Sequence, residues 1–292
     1  MKIAIYGLKA ELTQKKSFVD FFNELSKRNI HYTIEKEFKN ILEKKLALSL
    51  KYDETFSSYE DLQEDVQLFF TFGGDGTILS AATVIQNKNI PIVGVNTGRL
   101  GFLATINIEY LFDSLEGILN GNYKISKRSL IEVHSNQVKI EFPFALNEVA
   151  VTRRETTSMI TIDVSLNGEF LNSYWADGLI VSTPTGSTGY SLSCGGPIIH
   201  PENKNFVVTA IAPHNLNIRP FIISDDSILE LNIKSREKKY FLSMDSRNKP
   251  LPTRVKLQLK KSDFQLFIIE PEEKTYLITL RDKMFWGSDK RN

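Results

Sequence analysis

The 292 residues suffice for about two domains, and a compact chain of this length buries ~75% of the surface its unfolded form exposes, so a core needs no staples. With 36 Lys and Arg against 35 Asp and Glu the net charge is +1, which excludes a strongly basic nucleic-acid binder and an acidic disordered chain. The one cysteine, Cys194, excludes an intrachain disulfide and a multi-cysteine metal site. The opening apolar run Ile3–Leu8 is shorter than a signal-peptide core, and no run of ~18 apolar residues follows. A cytoplasmic protein with no membrane and no nucleic-acid partner is expected.

In chain order, Lys2–Tyr6 reads as an apolar opening strand. Phe18, Phe21, Phe22 and Leu25 then recur at helical spacing behind Ser17, a candidate cap. His31–Phe38 reads as a second strand, and Leu42, Leu46 and Leu50 place a helix over 40–50. Val66–Phe72 is a continuous apolar run, the pattern of a strand buried on both faces. It ends at Gly73-Gly74-Asp75-Gly76-Thr77, with a helical pattern from Ile78 onward. Pro91–Val95 is a further buried strand, followed by the loop Asn96–Gly101. Strands alternating with helices predict a mostly parallel α/β sheet.

Near Asn120-Gly121-Asn122 the period changes to two. Ile160–Leu166 alternates and meets Asn167-Gly168, a strong hairpin signal. Leu229–Ile233, Lys239–Met244, Val255–Leu259 and Phe264–Ile269 alternate in the same way, which predicts an antiparallel, sandwich-like β domain. Tyr276–Trp286 is apolar again and is expected to return to the first domain. The expected division is 1–124 with 272–292 as the α/β nucleotide-binding domain and 125–271 as the β-rich domain.

Glycines between a strong strand and a helix let a phosphate approach the backbone without Cβ interference, and the N–H groups of a helix start point at that anion. Asp75 is the unusual member. A carboxylate among phosphate-binding amides repels the phosphate unless it accepts a proton or holds a cation. The P-loop pattern is absent, and Gly74-x-Gly76-x-x-Leu79 lacks the third glycine of the dinucleotide fingerprint. The loop therefore reads as a phosphoryl-transfer loop carrying its own acid–base group.

Gly73–Thr77 resembles the GGDGT loop shared by NAD kinases, diacylglycerol and sphingosine kinases, and phosphofructokinases. Three further stretches narrow the resemblance to the NAD kinase family: Asn96–Leu103, Leu146-Asn147-Glu148-Val149, and the long block Asp177–Ser193 leading into Gly195-Gly196-Pro197-Ile198. The resemblance implies phosphorylation of NAD+ at the adenosine ribose 2′-hydroxyl by ATP with Mg2+ or another divalent metal, in a homodimer or homotetramer. It implies Asp75 as general base, with holding the metal as the competing role, and Gly76 beside it at the nucleotide. Asn147 and Glu148 resemble the pair gripping the nicotinamide-side ribose, and Asp177 the residue accepting from the nicotinamide carboxamide. Thr188, Gly189, Tyr190, Ser191, Leu192 and Ser193 correspond to the lining of the NAD site, and Ser158 and Ala212 to further NAD contacts.

One departure stands out. Where relatives carry Asp-Gly-Gln, this chain has Asp245-Ser246-Arg247, and the charge of Arg247 is expected either to reach a phosphate or to turn to solvent. Two alternatives stand beside the NAD kinase reading. A diacylglycerol-type lipid kinase would share the glycine loop without needing Asn147-Glu148, and a non-catalytic NAD(P)-binding sensor would naturally have lost Asp75.

Overall fold

The computed structural model describes residues 1–155 and 158–287. The backbone divides into two compact units, Met1–Lys127 with the chain from Leu266 onward, and Arg128–Gln265. No helix among the described residues is long and apolar enough to cross a membrane.

The first unit is built on a parallel sheet. Its strands run in the order Ile92–Asn96, Leu68–Gly73, Lys2–Gly7, His31–Glu35, Glu54–Phe56, and Ile268 pairs in parallel with Ile92 at the other side of the first of these. The strand order reverses between Lys2–Gly7 and Leu68–Gly73. In open α/β sheets that reversal opens a crevice at the carboxyl ends of the two strands. The glycine loop follows one of them directly.

Phenylalanines hold this sheet to its helices. Phe72 is fully buried, its ring 5.1 Å from Phe18, 5.2 Å from Phe21 and 6.1 Å from Phe38, centroid to centroid. Phe18 and Phe21 come from the helix Lys15–Lys27 and Phe38 from the helix Lys36–Lys45. One side chain thus anchors two helices beside Gly73. Phe72→Ala is expected to cost ~3–5 kcal/mol through lost burial and an unfilled cavity, measured by urea unfolding.

Local capping corrects two expectations. Ser17 caps nothing, because the helix starts at Lys15 with Gln14 at its N-cap. The strand expected over 31–38 stops at Glu35, whose carboxylate accepts the Phe38 N–H at 2.6 Å and starts a helix at Lys36. An N-cap acceptor satisfies a donor that the first helical turn otherwise leaves open.

The second unit is antiparallel. One set of strands runs Glu169–Ala176, Ile160–Leu166, Leu229–Lys234, Leu257–Pro271, and the other Phe221–Ser224, Asn205–Ile211, Gly178–Ser182, Glu148–Arg153, Lys239–Met244, Arg247–Pro252. Their buried residues, among them Val151, Ile162, Val181, Leu231 and Tyr240, form one hydrophobic core. The Asn167-Gly168 turn has φ of 51° and 85°, the left-handed pair that a two-residue type I′ hairpin requires. The two strands expected at Val255–Leu259 and Phe264–Ile269 are parts of one, Leu257–Pro271. Its start pairs with Leu229–Leu231 in the second unit, and its end lies in the first.

Candidate active site

In the first unit the helix after the glycine loop begins at Asp75, with Gly74 at its N-cap, three residues earlier than the apolar pattern suggests. Asp75 thus lies in the first turn, where the helix dipole favours an anion. Its Oδ2 accepts the Phe102 N–H at 2.8 Å, and its Oδ1 accepts the N–H groups of Leu103 and Ala104, both at 3.0 Å. A carboxylate has about four lone-pair sites. Three are engaged, and one is left for another donor.

The loop supplying those amides is itself fastened. Asn96 is buried and takes the Gly98 N–H at 2.7 Å while donating to the Arg99 carbonyl. The Gln14 amide donates to the Thr97 carbonyl at 2.6 Å. Lys283, on the helix Tyr276–Met284, donates to the Leu100 carbonyl, and its ammonium lies 5.6 Å from the centre of the Phe102 ring. Gly101 permits the close approach, since a Cβ there would fall 1.9 Å from Asp75 Oδ1. Gly76 is exposed beside this carboxylate.

In the second unit the expected residues converge on one stretch of backbone. The Asn147 carbonyl accepts the Thr183 N–H at 2.9 Å, and the Leu146 carbonyl accepts the Thr183 hydroxyl at 2.5 Å. Gly186 packs so closely on Asn147 that a Cβ there would lie 2.1 Å from the Asn147 carbonyl oxygen. At Gly189 a Cβ would meet Glu148 Oε2 at 3.0 Å, and the Tyr190 N–H bonds the Glu148 carboxyl. The Tyr190 phenol lies within electrostatic reach of Cys194, Asp177 and Glu148. Asn147, Glu148, Gly189 and Tyr190 are therefore neighbours, and Thr188 precedes Gly189 in the same turn with its hydroxyl on the Thr185 carbonyl.

Other expected residues are placed differently. Ser191 is fully buried, its hydroxyl 3.0 Å from that of Thr209, so its side chain belongs to the core. Leu192 is half-buried and Ser193 exposed. Ala212 is exposed with φ of 43°, and Ser158 is half-buried. Arg247 is half-buried with its guanidinium turned toward backbone carbonyls. Its guanidinium donates to the carbonyls of Met244, Phe142 and Phe144 and lies 5.5 Å from the centre of the Phe144 ring. Carbonyl acceptors nearby satisfy a half-buried cation that would otherwise be costly to desolvate.

The sequence reading missed two side chains. Arg153 donates at 2.9 Å to Asp177, the expected carboxamide acceptor itself. Asp245, from the departure motif, contacts the Asn147-Glu148 segment itself. A groove of about 530 Å³ elsewhere in this unit, lined by Asp163, Glu230, Asn232 and Lys256 among others, contains none of the expected residues.

Burial, and secondarily the negative charge of Asp245, pushes the Glu148 carboxyl up to about 7. Its Oε2 is buried without a hydrogen-bond partner; burial pushes the Asp245 carboxyl up as well, opposed by the three N–H groups it accepts. A carboxyl raised on folding stabilises the fold fully below its unfolded pKa, and that contribution is lost as pH rises through the folded value. Between about pH 5 and 8 the wild type should lose on the order of 2–3 kcal/mol through this group. Glu148→Gln is uncharged throughout, so the Tm difference, variant minus wild type, is expected to become more positive from pH 5 to pH 8 in a pH series of thermal melts.

A carboxylate held by three backbone amides at a helix start, directly after a glycine loop that follows a parallel strand, is the arrangement of the glycine-loop kinase class. The family models agree in both parts of the chain. Residues 10–123 match the ATP-NAD kinase N-terminal domain and residues 146–270 the ATP-NAD kinase C-terminal domain. The chain is 47% identical to the NAD kinase of Flavobacterium psychrophilum and 37% identical to that of Bacteroides fragilis, in each case over the full length of both chains. The chain belongs to the NAD kinase family, and it is a kinase. Among solved structures, yeast NADH kinase complexed with NADH superposes with a TM-score of 0.85 at 23% identity, covering 99% of this chain and 89% of that one. An NAD kinase from Archaeoglobus fulgidus in complex with ATP gives 0.75 at 23%, covering 98% and 99%. Both share the fold.

Proposed function

We propose that this chain transfers the γ-phosphoryl group of ATP to the 2′-hydroxyl of the adenosine ribose of NAD+, giving NADP+ and ADP. The ribose oxygen forms the new O–P bond as the bond between the γ-phosphorus and its bridging oxygen breaks. The hydroxyl proton passes to Asp75. The observation that carries this reading is the Asp75 carboxylate, fixed by three amides at a helix start with one acceptor site left. A ribose hydroxyl is a poor nucleophile at neutral pH, and a carboxylate within hydrogen-bond reach lowers the barrier by taking its proton. Alignment and charge neutralisation provide the rest of phosphoryl-transfer catalysis.

Among the described residues no cluster of three or more His, Cys, Asp or Glu could hold a metal ion. The described residues therefore do not fit a resident metal cage, and the divalent cation arrives with the ATP substrate, consistent with the habit of Mg2+ of keeping its waters and binding through phosphates. In the second unit Asn147 and Glu148 hold the nicotinamide-side ribose, Asp177 accepts from the carboxamide, and the Thr188–Ser193 backbone passes beside the base. The protein works in the cytoplasm as a homodimer or homotetramer. Leu216, Phe221 and Ile222, exposed on and beside the edge strand Phe221–Ser224, support self-association.

The deciding experiment is a coupled assay for NADP+ with purified protein, ATP and Mg2+. ATP-dependent NADP+ formation is the expected result. No product from NAD+, with phosphorylation of diacylglycerol instead, would replace this reading with the lipid kinase one.

A further inference from the structure

The hairpin turn Asp245-Ser246 joins the strands Lys239–Met244 and Arg247–Pro252, with Met244 paired to Arg247 and φ of 48° and 70° at the two turn residues. Two side-chain-bearing residues in the left-handed region are costly unless the surroundings require them. The turn brings the Asp245 carboxylate, only 7% exposed, onto three consecutive backbone amides. Oδ2 accepts from Leu146 at 2.6 Å, and Oδ1 accepts from Asn147 at 2.7 Å and from Glu148 at 3.2 Å. The contact is reciprocal, since the Asp245 N–H donates to the Glu148 carbonyl at 3.2 Å.

From this geometry we infer that Asp245 is a positioning residue for dinucleotide binding, locking the Leu146–Glu148 backbone so that the Asn147 amide and the Glu148 carboxyl present a fixed pair to two adjacent ribose hydroxyls. The inference rests on the assignment of NAD+ as acceptor. A ribose diol is recognised by two polar groups held at one separation, and hydrogen bonds to charged acceptors hold a backbone more firmly than neutral ones. The segment is restrained from its other side as well, by Thr183 and by the close packing of Gly186. Asp245 is the side chain that takes all three N–H groups of the segment. Its only role is to act through the neighbouring residues, so it changes how well the dinucleotide is held and not the transfer step.

Asp245→Asn keeps the shape but turns one acceptor oxygen into a donor facing an amide N–H, and Asp245→Ser keeps a single small acceptor without that clash. In either variant the KM for NAD+ is expected to rise about tenfold or more, while kcat and the KM for ATP stay within about threefold, the signature of lost uniform binding. Calorimetric titration with NAD+ should show the same loss of affinity. In a Glu148→Gln background the Asn substitution should add little, because both act on one segment. A folded Asn or Ser variant, confirmed by a single cooperative thermal transition and a wild-type circular dichroism spectrum, that binds NAD+ like the wild type overturns the proposal. So does a fall in kcat with NAD+ affinity intact, or full additivity with Glu148→Gln. If the Asn variant does not fold, the Ser variant decides. Absence of NADP+ formation by the wild type is a separate result, which removes the activity assignment before any variant is compared.

Discussion

Asp75→Asn should lower kcat for NADP+ formation by about 10²–10⁴-fold, the range that a positioned general base supplies, with the KM values for NAD+ and ATP close to wild type. The substitution is discriminating because the structural role of Asp75 is only partly lost. The Asn carbonyl can still accept from Leu103 and Ala104, as Oδ1 does now. The amide nitrogen, placed where Oδ2 takes the Phe102 N–H at 2.8 Å, sets donor against donor. One hydrogen bond is lost, with a cost of about 1–3 kcal/mol, which a thermal melt reads independently of activity. A collapse of kcat with a modest drop in Tm assigns Asp75 to the transfer step. Near-normal kcat with the same drop in Tm would reduce it to an organiser of the Phe102–Ala104 loop.

Gly186→Ala should damage the second unit as severely, by another route. The added Cβ would fall 2.1 Å from the Asn147 carbonyl oxygen, 2.4 Å from its carbon and 2.6 Å from Asn147 Cα. Backbone at three points cannot swing aside like the end of a flexible side chain. Overpacking of this kind costs ~1–3 kcal/mol and sometimes more, so Tm is expected to fall by about 2–5 °C in a chain of this length. Relief requires moving the Asn147 backbone, so the KM for NAD+ should rise at least tenfold, on the order of what loss of one good polar contact does. A variant with wild-type Tm and wild-type KM would show that Gly186 and Asn147 are not packed as described.

How much of this was legible in the sequence depended on the distance between the residues concerned. The buried strand before the glycine loop and the Asn167-Gly168 turn are local, and their patterns were sufficient. The change from strand to helix at Glu35 is also local, but it turns on one cap bond to Phe38, which apolar periodicity does not register. The long strand Leu257–Pro271 looked like two because Lys260, Lys261 and Asp263 interrupt its apolar alternation. Within the site, motif resemblance singled out Asn147 and Glu148, but it offered no sign that Asp245, some 97–99 positions later, accepts their backbone N–H groups. The partners of Arg247 were hidden for a related reason. A charge in a sequence suggests a ligand, and two of the three carbonyls that accept from it come from residues more than 100 positions earlier, Phe142 and Phe144.

The first unit closes only with the last part of the chain. Ile268 pairs with the strand Ile92–Asn96, Ile269 joins the core built by Ile3, Phe72 and Val93, and Lys283 fastens the loop that holds the Asp75 carboxylate. During synthesis on the ribosome, the segment up to Lys127 therefore emerges with one sheet neighbour still untranslated, while everything the second unit needs is available by Gln265. Maturation should run against the order of translation: the later-made unit can finish first, and phosphotransfer competence waits for the final turn of helix to leave the exit tunnel.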